Sequence, residues 1–214
     1  MRQLQDIAID FLQNHTPQPT RTIVGIAGVP AAGKTTFAAL FAHELNKMIR
    51  LDFAVHVPMD GFHLSNRQLS IQGLSERKGA PETFDVHGYK HLLQRLRQDR
   101  DDNVYAPDFS RELGELIAGS IRITPETQVI ITEGNYLFNG GAWTGVAAQC
   151  DHTWFLDAEL QTVQRRLIDR QIQSGKTLED AQQWFQTVDE PNINDVLPRR
   201  SSADRIIGLI ELTV

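Results

Sequence analysis

With 214 residues and a formal charge of −6, the chain has the size of one α/β domain with an elaboration rather than two independent domains. Its one cysteine, Cys150, has no intramolecular partner, which excludes a disulfide-stapled scaffold and makes a cytoplasmic setting the expectation. No stretch approaches the ~18 apolar residues of a spanning helix, and the acidic balance argues against a nucleic-acid coat while leaving room for an anionic ligand held by local basic groups.

Leu4, Ile7, Ala8, Phe11 and Leu12 recur at helical spacing, so the first dozen residues are expected to form a docking helix without the continuous apolar run of a signal peptide. Residues 15–21, with Pro17 and Pro19, read as a turn or linker. Thr22 to Ala27 is a buried strand, and it runs into GVPAAGKT at 28–35. Phe37, Leu40, Phe41, Leu45, Met48 and Ile49 then mark one face of a helix. Strand, glycine loop and helix in that order form the context a phosphate-binding loop requires.

Each residue type in the loop has a chemical reason. A polyphosphate needs converging amide N–H groups, and a turn at a helix start supplies them. Gly28 and Gly33 allow curvature and close approach, with Val29, Pro30, Ala31 and Ala32 between them. Lys34 reaches the β- and γ-phosphates, the Thr35 hydroxyl ligates Mg²⁺, and Thr36 adds a hydroxyl near the α-phosphate. The absence of a GxGxxG turn disfavours a dinucleotide site. A nucleoside triphosphate is the predicted ligand; the loop itself does not separate a kinase from an ATPase or a GTPase.

A second strand is predicted over Phe53–Met59, ending in Asp60-Gly61. From Ser65 to Asp85 the polar character predicts a short helix and a substrate-side loop; Val86, Tyr89, Leu92, Leu93 and Leu96 restore a helical stripe, and residues 99–103 form a charged turn. Residues 121–124 alternate like a short exposed strand, Val129–Thr132 is a compact buried strand stopping at Glu133-Gly134, and Thr153–Leu156 is another stopping at Asp157. Strand ends of an open α/β sheet converge on the ligand crevice, so Asp60 is the candidate base and Glu133 the candidate metal-side acid. Asp157 reads equally as a helix cap or a catalytic acid, while Asp151, His152 and Cys150 read as structural.

Two helices follow. Leu160, Val163, Leu167 and Ile168 give the first its apolar face; Leu178, Ala181, Trp184, Phe185 and Val188 give the second, with Trp154 and Trp184 both expected in the core. Arg165, Arg166, Arg170 and Lys176 concentrate positive charge near the junction, so about 165–190 is a candidate lid whose arginines offset phosphoryl charge on closure. Asn192, Arg199 and Arg200 are further candidates for a nucleotide-facing surface, and Arg205–Leu212 is a final strand. Apolar strands joined through helices predict a mainly parallel, doubly wound sheet in a single domain over residues 1–214.

GVPAAGKT, MDGFHLSN, RKGAPETFD and ITEGNYLF, in that order, resemble the phosphoribulokinase, uridine kinase and bacterial pantothenate kinase superfamily. FLDAELQTVQRRLIDRQ and DEPN resemble its small bacterial nucleoside/nucleotide kinase-like, or fructose-transport-system kinase, branch. The resemblance spans about residues 20–210 and implies a P-loop kinase that uses ATP and Mg²⁺ to phosphorylate the hydroxyl of a sugar or polyol, a nucleoside or a pantothenate-like compound. It places Asp60 on the base, Lys34 and Thr35 on the phosphate and Mg²⁺ positions, Glu133 on the strand-end acid, and Arg170 on the clearest lid arginine. His63, Arg77, Lys78, Phe84 and Tyr89 become candidate acceptor contacts; Ala80, Thr83 and Phe84 depart from the pantothenate kinase form of their phrase. The alternatives are a P-loop nucleotide-binding regulator and a plain NTPase. No nucleic acid or membrane insertion is expected, and a two-fold homodimer is the default assembly.

Overall fold

The computed structural model describes residues 2–16 and 18–208. Helix α1 (Arg2–Asn14) precedes strand β1 (Thr22–Ala27), followed by α2 (Lys34–Met48), β2 (Ala54–Pro58), α3 (Asn66–Ile71) and α4 (Val86–Gln98). Strands β3 (Val104–Ser110) and β4 (Glu115–Ile123) lead to β5 (Val129–Gly134) and β6 (His152–Leu156). Then come α5 (Leu160–Gln173), α6 (Leu178–Trp184), a π-helical turn (Phe185–Asp189), α7 (Glu190–Val196) and β7 (Arg205–Ile207).

Five strands form a parallel sheet in the order β2-β5-β1-β6-β7. The strands are apolar on both faces because helices cover both. Along β1, Ile23 and Ala27 enter one core layer with Tyr89, Leu93 and Leu96 of α4. Val24 and Ile26 enter the other, against Phe11 of α1 and Phe37 and Phe41 of α2. The period-two alternation of a pleated strand thus serves two helical layers at once. Trp154 lies in the second layer, as its strand pattern predicts.

Register decides what the sheet presents at its carboxyl end. Ala27 lies opposite Gly134 and Phe155, and Pro58 lies opposite Glu133. The glycine loop after β1, the acid ending β5 and the turn after β2 therefore emerge side by side. This is the crevice at which open α/β sheets bind ligands.

Three segments differ from expectation. Residues 121–124 are only the end of a longer strand: β4 pairs with β3 in an antiparallel ribbon irregular between Ala106 and Asp108. Pro107 and the mixed exposure of both strands mask this ribbon in the sequence. The second lid helix is broken by the π-helical turn, and its expected stripe residue Leu178 is exposed while Ala181 and Phe185 are buried. Of the final strand, Arg205–Ile207 is present; Leu209, Ile210 and Leu212 lie outside the described residues. No helix among the described residues is long and apolar enough to cross a membrane.

Candidate active site

The loop between β1 and α2 is shaped by two left-handed residues, Ala31 at φ 58° and Gly33 at φ 95°. At Gly33 only glycine adopts this conformation without strain, and Ala31 carries a local cost of the kind concentrated at ligand-binding turns. Gly28 is required for space: a Cβ there would lie 2.7 Å from the Leu156 carbonyl oxygen of β6. The buried Lys34 ammonium donates to the Val29 carbonyl at 2.9 Å and to Asn135 Oδ1 at 2.7 Å, folding the side chain over the loop. Burial lowers its affinity for a proton, against the pull of Glu133 and Asp60 and with the help of Arg170. Those three charges therefore share the lysine's surroundings.

Beside the loop, the Thr35 hydroxyl donates to Glu133 Oε1 at 3.0 Å, and His56 Nε2 lies 3.6 Å from the same oxygen. Burial opposes ionisation of Glu133, but His56, Lys34 and Thr35 outweigh it and hold its carboxyl below the usual range. Asp60 behaves oppositely. It sits in the 3₁₀ turn after β2 with its side chain 40% exposed to the cleft. Desolvation and then the Glu133 charge raise its carboxyl, against His63, Lys34 and Arg111. Two neighbouring carboxylates are thereby separated into one held ionised and one poised to take a proton.

The turn is braced from the ribbon. A Cβ on Gly61 would lie 2.7 Å from the Pro107 carbonyl carbon, so only glycine lets β3 seat directly on the residue after Asp60. His63 Nδ1 lies 2.9 Å from the Asp60 carbonyl oxygen, and its ring packs between Phe84 and Phe109, at 4.0 and 4.9 Å between centroids.

From the opposite wall, Arg165, Arg166 and Arg170 of α5 reach the cleft, and Arg166 donates to the Ala31 carbonyl at 3.2 Å. Arg170 lies 4.0 Å from Asp189 Oδ1. Asp189 is buried on the π-helical turn, its Oδ2 has no hydrogen-bond partner among the described residues, and burial pushes its carboxyl up to about 6. Trp184 is only half-buried and lines the cleft with Lys176 4.7 Å above its ring, so the expectation of a core tryptophan is corrected. Trp184 ends α6 and Asp189 ends the π-helical turn that follows, and both line the cleft.

The whole cleft encloses about 1350 Å³. Pockets for one small ligand run to roughly 300–1,000 Å³, so there is room for two. It is lined by residues 30–36, Asp60, His63, Lys78, Phe84, Glu133 and the three lid arginines. Two candidate acceptor contacts lie elsewhere: Tyr89 is fully buried, its hydroxyl 2.6 Å from Thr132 Oγ1 beneath the sheet, and Arg77 pairs with Glu82 at the surface. Asp157 does not cap α5, whose N-cap is Glu159; it pairs with Arg200 at 2.9 Å on the cleft rim. Asn192 also lines the cleft. Asp151 accepts from the Ile23 amide and from Arg97, and Cys150 is half-buried with its thiol pushed up to about 12 by desolvation, as fits structural roles.

Sequence reasoning missed Asn135, His56, Phe109, Arg111 and Asp189. Asn135 directly follows Glu133-Gly134, so the strand-end rule could have found it. Phe109 and Arg111 belong to the unrecognised ribbon, and Asp189, although it opens the DEPN phrase, was given no role of its own.

The sequence profile of the phosphoribulokinase / uridine kinase family matches residues 23–212. A crystal structure from Silicibacter sp. TM1040, of a protein named for a proposed role as a fructose transport system kinase, superposes with TM-score 0.86 at 35% identity, covering 95% of this chain and 98% of that one. The uncharacterised YggC protein of Escherichia coli K12 is 32% identical over 201 residues, 94% of this chain and 82% of its own. A pantothenate kinase of Coxiella burnetii is 30% identical over 190 residues, 85% of this chain and 59% of the longer relative. With a glycine loop, a strand-end acid and a lid of arginines around one cleft, the chain belongs to the phosphoribulokinase / uridine kinase family and is a P-loop kinase.

Proposed function

We propose that this kinase transfers the γ-phosphoryl group of ATP to a hydroxyl of a small-molecule acceptor, with Asp60 as the base. The observation that carries this reading is that Lys34 and Asp60 line one cleft, with the Thr35–Glu133 pair in the same wall. The loop amides and Lys34 hold the triphosphate. Arg170, with Arg165 or Arg166, offsets charge on the transferring group, and closure of the α5–α6 region excludes water that would hydrolyse ATP.

As the acceptor oxygen bonds to the γ-phosphorus, the bond from that phosphorus to the β–γ bridging oxygen breaks. ADP carries away the electron pair, and the hydroxyl proton passes to a carboxylate oxygen of Asp60. The raised proton affinity of Asp60 suits that task, because a weakly basic carboxylate would take the proton less readily.

Thr35 and Glu133 fit Mg²⁺: a hydroxyl and an ionised carboxylate 3.0 Å apart are hard oxygen donors. When bound, Mg²⁺ supplies charge neutralisation on the phosphate oxygens.

The test is an acceptor screen with Mg-ATP and mass detection of the phosphorylated product. Asp60→Asn is expected to retain ATP binding and lose about two to four orders of magnitude in acceptor-dependent kcat. ADP release with no phosphorylated acceptor would support the NTPase reading instead, and undiminished turnover of the variant would remove Asp60 from the mechanism.

A further inference from the structure

The acceptor end of the cleft contains charges that phosphate chemistry does not use. Lys78 donates its ammonium protons to Asn66 Oδ1 at 2.5 Å and to the Gly114 carbonyl at 2.6 Å, and it lies 5.4 Å from the Phe109 ring centre. All three partners are neutral. Arg111, in the turn between β3 and β4, lines the cleft and has no hydrogen-bond or ion-pair partner among the described residues. Its charge nevertheless acts on Asp60. A second, smaller opening between β2 and the ribbon is also lined by both Asp60 and Arg111, which places Arg111 at the edge of the base's surroundings.

This pair is separate from the lid arginines. Lys78 and Arg111 approach from the ribbon side, with His63, Phe84 and Phe109, whereas Arg165, Arg166 and Arg170 come from α5. The ribbon is held in that position by the close seat of Pro107 on Gly61 and by Lys78 itself, which ties the ribbon turn to the start of α3.

Lys78 is half-buried and Arg111 exposed along the same cleft, and neither has an anionic partner within ion-pair distance among the described residues of this acidic protein. A neutral polyol or nucleoside is recognised by paired hydrogen-bond donors and acceptors, and gains less from a free cation than an anionic group does. An acceptor that itself carries negative charge is repelled by Asp60 and by the adjacent triphosphate, and needs cations at its far end to bind beside them.

Resting on the kinase reading above, we infer that the acceptor carries an anionic group, carboxylate or phosphate, on the side remote from the reacting hydroxyl, and that Arg111 and Lys78 receive it. Arg111 supplies the free guanidinium. Lys78 adds charge from a fixed position, and the reacting hydroxyl is thereby turned toward Asp60.

The experiment uses acceptor pairs that differ in charge: hydroxycarboxylates against their amides, and sugar monophosphates against the free sugars, with nucleosides as a third neutral set. Each is assayed with Mg-ATP by product mass and by kcat/KM. The charged member of a pair is expected to be preferred, and the better of the carboxylate and phosphate arms identifies the anion. In Arg111→Gln and Lys78→Gln that preference should fall about tenfold to a hundredfold, mainly through acceptor KM, as expected for loss of a charge-assisted contact. Lys78→Arg, which keeps the charge, should restore part of it, separating charge from any loosening of the ribbon. A neutral acceptor used best, with its charged counterpart no better and the ratio unmoved in Arg111→Gln, would overturn the inference while leaving the kinase intact. No phosphorylated product from any acceptor would overturn the kinase reading itself, and this inference with it.

Discussion

At the scale of single residues, the cleft is organised by opposed carboxyl groups. Asp60 is raised by desolvation and by Glu133, and Arg111 pulls it back. A base works when deprotonated, so kcat/KM is expected to rise with pH through an acid limb above the ordinary carboxylate range. Removing the Arg111 charge should move that limb to still higher pH; a pH–rate profile of Arg111→Gln that shifts downward would contradict the electrostatic arrangement. Asp189 offers a second case. Its folded value of about 6 lies above the ordinary 3.8, so the folded state binds the proton more tightly than the unfolded chain. Its burden on stability is absent below the unfolded value, grows as pH rises toward about 6, and is constant above that. Asp189→Asn should therefore flatten the fall in Tm across this interval while lowering kcat, because Arg170 loses the anion that orients it. Thermal melts from pH 4 to 7 beside turnover assays separate the two effects.

At the scale of elements, the ribbon of β3 and β4 has the greatest consequence and was the least legible. Pro107, the irregularity beside it and the exposed residues along β4 remove the alternation by which a strand is recognised. The glycine loop was legible for the opposite reason, since six consecutive buried residues precede it and its lysine and threonine occupy positions with little chemical latitude. The ribbon makes Gly61 a direct test. Gly61→Ala would push a methyl group against main-chain atoms of Pro107 that have no rotamer to escape into. Acceptor kcat/KM should fall at least about tenfold, as small misplacements of reacting groups cost that much or more, with ATP affinity retained in a binding titration. The π-helical turn is an element-scale deviation of similar kind: periodicity correctly foresaw a helix around 178–188 but not the π-helical turn at Phe185–Asp189, whose last residue lines the cleft.

At the scale of the whole molecule, the parallel sheet was readable from its apolar strands, and the convergence of Lys34, Asp60 and Glu133 followed from the strand-end rule rather than from any local feature of those residues. What could not be read was how distant segments are fastened. Residues 15–21 look like a linker, yet Arg21 is completely buried. It donates to the carbonyls of Thr127 and Thr124 before β5, of Leu96 in α4, and of Asp99 beyond it. No short-range pattern distinguishes such an arginine from a solvated one. Arg21→Met should leave those carbonyls without their charged donor and lower unfolding free energy by about 3 kcal/mol or more, measurable by urea denaturation. A change within a few tenths of a kcal/mol would show that the fastening is dispensable.

The hydrogen bonds of Lys34 have an implication for how the enzyme meets its nucleotide. Its ammonium is already coordinated by Val29 and Asn135. An arriving phosphate does not find a bare cation; it must win protons from two existing acceptors. The lysine's contribution to affinity is thus a difference between competing oxygens, and the same two bonds spare its buried ammonium the cost of an unpaired charge. Asn135 supplies one of the two oxygens that a phosphate must displace, and shortening it to alanine should lower the protein's stability while tightening its grip on triphosphate.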